Sequence, residues 1–244
     1  MNDYPQKAAA PPRRPLTPRD RARLMFGVSV AITLLLYFIP FGNYVIYPLL
    51  LLSTLAHEMG HGLAAELVGG DFDRFQMWSD GSGVASYIAA PSRFGQALIA
   101  AGGLVGPAIA AAILFVLARN AKNARRVFVA IALLLTLLLL LYVRNLFGFG
   151  FVALLTISAL LIARIVTDEM AQLLLVFVAV QLALAVFSRS DYLFTPVAET
   201  SGGRMPSDVA QISAALYLPY WFWGAACGAF SVLVLWRGFK SFWR

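Results

Sequence analysis

Residues 56–62 read A-H-E-M-G-H-G and contain both histidines of the chain. In a helix, positions i and i+4 lie on one face, so His57 and His61 can reach a single metal ion. Glu58 lies beside them, where it can take a proton from a water molecule. Two histidine ligands with an adjacent glutamate are typical of zinc hydrolases, so the spacing predicts a zinc site with Glu58 as the general base.

The alternative is that the two histidines are ordinary core residues whose hydrogen bonds are satisfied. Three titratable groups within one turn of an apolar helix are costly unless they serve a function, which favours the metal site. Gly60 and Gly62 are small neighbours that leave room around an ion. We therefore interpret the motif as one half of a metal centre.

Zinc needs a third protein ligand, and the chain has no further histidine to supply it. Its single cysteine, Cys227, lies in an apolar segment without polar neighbours, so a carboxylate must complete the site. Glu66 is excluded because, five residues past His61, it points about 140° away on the same helix. We predict Asp191 as the third ligand. Asp208 is the alternative ligand. Its position before a helix would also suit an acid that only caps that helix.

The chain of 244 residues is 60% hydrophobic and 13% charged, with a mean hydropathy of +0.77. A soluble domain is about half apolar and a quarter charged, so this composition predicts an integral membrane protein. We expect an all-α polytopic fold of about seven transmembrane helices, at about 20 apolar residues per crossing. The predicted spans are residues 25–41, 46–68, 97–118, 127–143, 146–163, 170–187 and 212–236.

Residues 69–96 do not follow the apolar pattern of a span. The stretch GGDFDRFQMWSDGSGVASYIAA alternates polar and apolar residues around the turn sequence DGSG. This pattern predicts a small β-hairpin between the second and third spans. Its edge strand would be able to pair with an extended peptide.

Small residues recur in the third predicted span. The stretch AGGLVGPAIAAA places Gly102 and Gly106 four residues apart. In membrane helices this spacing allows two backbones to approach closely, so we predict a tight helix–helix contact there.

Residues 1–22 are predicted to be a disordered basic tail, and residues 23–244 a single transmembrane domain. The net charge of +7 comes from the tail, a cluster at residues 119–126 and the C-terminus. Such clusters beside apolar spans are topology signals and lipid contacts, so we expect the bilayer as a partner and no nucleic acid. Charge before the first span predicts a plasma (inner) membrane protein with a cytoplasmic N-terminus. Strict alternation of seven crossings, however, puts residues 119–126 on the opposite side.

Several stretches together resemble the site-2-protease-like intramembrane zinc metallopeptidases, and most closely their M-fifty B-like branch. They are AHEMGHGLAAELVGG, the glycine-turn hairpin ending in GSGVAS, AGGLVGPAIAA, and the later FSRSD and PSDVAQ. The resemblance covers about residues 50–225. It implies zinc bound by His57 and His61, Glu58 as the catalytic base, and an aspartate on a later span that completes the site.

The resemblance also implies an activity, that of a membrane-embedded zinc metalloendopeptidase acting on membrane protein or peptide substrates through its H-E-x-x-H site. Better-characterised site-2 proteases carry their aspartate in an Asn-Pro…Asp-Gly motif. This chain has no Asn-Pro, and its one Asp-Gly lies in the predicted hairpin. The departure leaves both Asp191 and Asp208 open as ligands. It motivates the alternative of a non-catalytic zinc-binding scaffold or a transport-related helical bundle.

Overall fold

The computed structural model describes residues 17–88, 91–188, 193–201 and 203–243, most of which are helical. The helices are α1 (Pro18–Phe38), α2 (Gly42–Leu67), α3 (Arg93–Leu117), α4 (Ala121–Leu141), α5 (Leu146–Ile165), α6 (Asp168–Ser188), α7 (Asp208–Leu216) and α8 (Tyr220–Trp243). Within the described part, the strands form two antiparallel hairpins, one between α2 and α3 and one between α6 and α7. The strands are β1 (Asp71–Met77), β2 (Gly83–Ile88), β3 (Val197–Thr200) and β4 (Gly203–Pro206).

Five of the described helices are long and apolar enough to cross a membrane. They are α3, α4, α5, α6 as far as Phe187, and α8. The protein is therefore an integral membrane protein, as its composition predicts. The expected number of about seven crossings is not confirmed, because α1 and α2 do not belong to these five.

The last predicted span, residues 212–236, corresponds to α8 but starts too early, because a break divides the predicted range. α7 ends at Leu216 and α8 begins at Tyr220. Tyr217, which follows α7, has a left-handed φ of 68° that turns the chain out of the helix. Pro219 has no N–H to continue the helical hydrogen bonding. The segment that opens with Asp208 is consequently a separate short helix.

The predicted boundary of the tail is also displaced. α1 begins at Pro18, and the hydroxyl of its N-cap Thr17 accepts a hydrogen bond from the Asp20 N–H at 3.2 Å. Residues 18–22 are therefore helical rather than part of a disordered tail, and Ala22 is buried. Residues 1–16 of the predicted tail lie outside the described part of the chain.

One end of the helical bundle, here called the basic end, joins the starts of α1, α4 and α6 to the ends of α3, α5 and α8. Its hydrophobic cluster includes Ala22, Met25, Phe115, Ala118, Ala124, Val127, Ala163, Ala171 and Phe242. The Arg23 guanidinium lies 5.6 Å above the Trp243 ring, which adds a cation–π contact. The start of α1 and residues 119–126 thus share one end. Strict alternation of seven crossings predicted opposite ends, so that alternation is wrong.

α2 and α3 pack closely over the segment that carries the histidines. A methyl group added to Gly60 would lie 2.1 Å from the Gly102 carbonyl oxygen, and one on Gly102 would lie 2.5 Å from the Gly60 oxygen. A methyl group on Gly106 would lie 2.6 Å from the Ala56 carbonyl oxygen. The close contact predicted for this span is therefore confirmed, and its partner is the histidine helix.

The β1–β2 hairpin is fixed along β1 and at its turn. The Phe75 N–H donates to the Tyr142 carbonyl at 2.8 Å, and the Arg144 N–H donates to the Phe75 carbonyl at 3.0 Å. In the turn, Gly81 has a φ of 86°, which favours glycine, and its carbonyl accepts a hydrogen bond from the Thr54 hydroxyl at 2.7 Å. These contacts hold β1 on both sides and leave β2 as the edge strand.

We expect the Gly102→Ala substitution to destabilise the protein, because the added methyl group meets the backbone of α2 rather than a movable side chain. Overpacking of this kind costs about 1–3 kcal/mol. The thermal unfolding midpoint of the purified protein in detergent should fall by about 2–4 °C for each kcal/mol. Gly150→Ala in α5 is the matched control, since nothing lies within 4 Å of its added methyl group. Equal midpoints for the two variants would show that the α2–α3 contact is not tight.

Candidate metal centre

Three side chains with ligand atoms converge between α2 and α7. His57 Nε2 lies 3.1 Å from Asp208 Oδ2 and 3.2 Å from His61 Nε2, and His61 Nε2 lies 3.3 Å from Asp208 Oδ1. All three side chains are largely buried, at 17%, 12% and 5% exposure for His57, His61 and Asp208. Among the described residues, they are the one group of His, Cys, Asp or Glu side chains that could hold a metal ion.

The donor atoms suit a tetrahedral ion. Bonds of 2.0–2.1 Å, as zinc forms, set tetrahedral donor atoms about 3.3 Å apart, which is close to the three observed separations. Asp208 Oδ2 is buried and makes no hydrogen bond of acceptable geometry, although it lies against His57 Nε2. A buried carboxylate oxygen is normally satisfied, and a metal bond would satisfy this one. The residues present therefore fit a divalent metal ion.

α2 and α3 together orient the histidines. The two histidines lie one turn apart on one face of α2. His61 Nδ1 lies 2.9 Å from the Ile99 carbonyl oxygen of α3, and because a carbonyl only accepts, Nδ1 must carry the proton. In the neutral ring this leaves a lone pair on His61 Nε2 for a metal. Gly103 provides the space, since a methyl group there would lie 2.2 Å from that nitrogen.

Asp208 is the first residue of α7. Ser207 precedes it as the N-cap, and the Ser207 hydroxyl accepts a hydrogen bond from the Ala210 N–H at 3.3 Å. The capping role that the sequence allows for Asp208 therefore belongs to Ser207. The Asp208 carboxylate instead reaches the histidines and is 4% exposed.

α7 is held in place by α3. Their shared cluster contains Val209, Ile212 and Ala215 of α7 and Ala97, Ala100 and Leu104 of α3. Arg93, the first residue of α3, donates from Nε to the Ala215 carbonyl at 2.9 Å and from Nη2 to the Ala214 carbonyl at 3.0 Å. Its guanidinium also lies 3.7 Å from the centroid of the Tyr217 ring. α3 thus fixes both the histidine pair and the helix that brings the aspartate.

Glu58 lies between the histidines and the edge strand. It is 7% exposed, and its Oε2 accepts a hydrogen bond from the Ala85 N–H of β2 at 2.7 Å. β2 passes close by, since a methyl group on Gly83 would lie 2.9 Å from Glu58 Cγ. A carboxylate held in this way is placed to exchange a proton with a molecule in the adjoining space.

Two cavities adjoin the centre, and both have His57 and Glu58 in their walls. The inner cavity measures about 280 Å³ and lies between α2, α3, α6, α8 and β3. The outer cavity measures about 340 Å³ and lies between α2, β2, the β3–β4 hairpin and α7. The arrangement leaves room for a substrate on either side of Glu58.

The tips of the two hairpins meet next to these cavities. Asp80 accepts hydrogen bonds from the hydroxyls of Ser201, at 2.5 Å, and Ser82, at 2.6 Å. The Ser201 N–H in turn donates to the Ser82 hydroxyl at 3.2 Å. The Ser201 and Ser82 hydrogen bonds lower the pKa of Asp80 to about 2, so this carboxylate is ionised at neutral pH. The β3–β4 hairpin is thereby tied to the turn of the first hairpin.

The structure brings His57 and His61 to Asp208, the alternative third ligand, with Glu58 beside them. Asp191, the first choice, lies outside the described residues. Glu66, which helix geometry excludes as a ligand, accepts a hydrogen bond from the Phe72 N–H at 2.8 Å and so anchors the start of β1.

The residues that support the ligands are absent from the sequence predictions. Arg93 acts on the far end of α7, and the Ile99 carbonyl belongs to the backbone, which leaves no trace in a sequence. Gly103 had a signal, because the Gly102–Gly103 pair indicates a close helix approach, although not which side chain occupies the space.

No curated protein and no solved structure matches this chain significantly. The sequence does match the Peptidase M50B-like family over residues 27–238 of 244. That range includes α2 with the histidines, both hairpins, and α7 with Asp208, so it covers every element that builds the candidate centre. It confirms the resemblance to the site-2-protease-like metallopeptidases. The chain belongs to the Peptidase M50B-like family.

Proposed function

We propose that this protein is a membrane-embedded zinc metalloendopeptidase that hydrolyses peptide bonds of membrane-associated substrates. The observation that carries the proposal is the convergence of His57, His61 and Asp208 beside Glu58 in a member of a peptidase family. A non-catalytic scaffold would require the three ligands, but it would not require a carboxylate in the walls of two cavities.

Zinc is the ion that this donor set favours, since two imidazole nitrogens and one carboxylate oxygen are common in catalytic zinc sites. His57 and His61 would bind it through Nε2, and Asp208 through its carboxylate. When bound, the ion supplies Lewis-acid chemistry, polarising a carbonyl and lowering the pKa of water to about 7. Three protein ligands would leave a further position for water or substrate.

Glu58 would serve as the general base. Its Oε2 is held by the Ala85 N–H, which orients the carboxylate and leaves Oε1 for proton transfer. The carboxylate accepts a proton as the water oxygen bonds to the peptide carbonyl carbon. It returns that proton to the leaving nitrogen as the C–N bond breaks, which restores the ionised carboxylate.

The outer edge of β2 would bind the substrate backbone on either side of Ala85, whose N–H already donates to Glu58. Phe75 directs its N–H and C=O away from β2, so its antiparallel partner Ala85 directs its own groups away from β1. By alternation, Gly83 and Tyr87 present their backbone groups on the same outer side. A peptide added to this edge would pass both cavities and Glu58. We infer that the substrate is an extended, unwound segment of a membrane protein or peptide.

We place the basic end in the cytoplasm of a plasma (inner) membrane protein, because regions rich in Lys and Arg remain inside. The start of α1 and the 119–126 cluster lie together there, so both charge signals support one orientation. Gly103, beside His61, lies about 21 Å along α3 from its end at Leu117. The proposed centre is therefore nearer the opposite face of the membrane.

Replacing Glu58 by Gln is expected to stop peptide hydrolysis while zinc remains bound, since the amide keeps the side-chain shape but cannot accept the proton. Loss of a general base lowers the rate by about 10²–10⁴-fold. Purified protein in detergent is tested for zinc content by mass spectrometry and for cleavage of unfolded casein. Glu66→Gln is the matched control on the same helix and should keep both. Normal cleavage by Glu58→Gln would refute the mechanism and favour a scaffold or transport role.

Replacing Asp208 by Asn is expected to remove bound zinc, because a neutral amide replaces the carboxylate ligand. The loss should exceed the roughly 10–100-fold effect of removing an outer partner of a metal ligand. Asp191→Asn is the comparison, and zinc titration of the apoprotein measures both affinities. Retention of wild-type affinity by Asp208→Asn, with loss in Asp191→Asn, would transfer the third-ligand role to Asp191.

The proposed orientation is tested with single cysteines in a Cys227→Ala background and a membrane-impermeant maleimide. Lys122→Cys at the basic end should be labelled only after the cells are permeabilised. Asp73→Cys in β1, which lies at the opposite end beside Tyr142, should be labelled in intact cells. The inverse pattern would place the basic end outside.

A further inference from the structure

The inner cavity extends from the candidate centre into the space between α2, α3, α6 and α8. Two serines in its wall are almost completely buried, with Ser53 of α2 3% exposed and Ser231 of α8 1% exposed. Much of the remaining wall is apolar, including Leu104, Pro107 and Val186. The cavity thus combines an apolar surface with two hydroxyl groups deep among the helices.

These two hydroxyls lack the partner that other buried hydroxyls have. Ser29, Thr33 and Thr156 each donate a hydrogen bond to the carbonyl four residues earlier, at 2.8–2.9 Å. Among the described residues, no hydrogen bond involves the hydroxyl of Ser53 or of Ser231. Neither oxygen is among the sealed, unsatisfied polar atoms of the described residues, and both serines line the cavity, so a polar group within the cavity can hydrogen-bond to them.

The cavity has a defined position relative to the substrate edge. It reaches β2 at Ser82 and Gly83, whereas the outer cavity follows β2 from Gly83 to Tyr87. A peptide bound along β2 would therefore place the side chains on one side of Glu58 over the inner cavity. The side chains beyond Glu58 would lie over the outer cavity.

We propose that the inner cavity is a specificity pocket that selects serine or threonine at one substrate position next to the scissile bond, through hydrogen bonds to Ser53 and Ser231. The inference rests on the proposed peptidase function. The apolar wall accommodates the methyl group of threonine. Valine has nearly the same shape but would leave the two hydroxyls without partners, and a site built to bind a hydroxyl discriminates strongly against such an analogue.

The pocket is tested by the cleavage-site profile of the purified, zinc-loaded full chain on a proteome-derived peptide library in detergent micelles. We expect threonine to exceed valine by at least about tenfold at one position next to the cleaved bond. The double variant Ser53→Ala/Ser231→Ala should reduce this preference to about twofold or less while cleavage continues. Ser29→Ala, also a buried serine but outside both cavities, should keep the wild-type profile. An absent preference in the wild type, or an unchanged one in the double variant, overturns the proposal.

A binding measurement separates failure of the pocket from failure of the peptidase function. If the wild type cleaves no more than Glu58→Gln, the peptidase proposal fails, and the pocket is judged by occupancy instead. In a Glu58→Gln/Cys227→Ala background, Ser231→Cys is modified with a small methanethiosulfonate reagent. Slower modification in the presence of the peptide library supports a side-chain pocket. A rate that the library does not change shows that the cavity holds solvent or lipid and overturns the proposal.

Discussion

The candidate centre depends on how closely α3 approaches the histidine helix. Backbone contact at Gly60 and Gly102 brings the Ile99 carbonyl within 2.9 Å of His61 Nδ1, and Gly103 leaves the ring its space. The same helix carries the apolar face on which α7 rests. A wider separation would turn the imidazole and displace the aspartate together. The ligand geometry is therefore a property of the α2–α3 contact as much as of the ligands themselves.

The position of the proton on His61 favours a metal ion over a pair of core histidines. In the neutral ring, the proton of His61 is on Nδ1, where Ile99 accepts it, so Nε2 has none to donate to Asp208. A lone pair of the neutral ring then faces the Asp208 carboxylate at 3.3 Å. A cation between them removes the repulsion and satisfies Asp208 Oδ2 as well. A protonated His61 is the alternative, with its two ring N–H groups facing Ile99 and Asp208, but Asp208 Oδ2 would still lack a hydrogen bond of acceptable geometry.

Local geometry explains which parts of the centre could be predicted from sequence. The pairing of His57 with His61 needs only the helical repeat, and membrane insertion needs only summed hydropathy. Asp208 could be named as a candidate but not placed, because its position depends on α7 packing against α3. The break at Tyr217 was hidden within one apolar run. The predicted alternation of crossings was wrong for a related reason. It assumes that α1 and α2 cross the membrane like the other helices, whereas the start of α1 packs against the end of α3.

The edge strand β2 and the proposed base Glu58 are joined by a hydrogen bond, so their positions are coupled. A peptide bond in a helix has its N–H and C=O already paired, so hydrolysis within a membrane requires an extended segment whose backbone finds new partners. In the proposed function, β2 would supply such partners at Gly83 and Tyr87 on its outer side, and Glu58 accepts a hydrogen bond from the Ala85 N–H between them. Any shift of β2 would therefore move the base together with the bound peptide. The Asp80–Ser201 hydrogen bond joins the two hairpin tips, so it ties the β3–β4 hairpin to the turn that precedes β2.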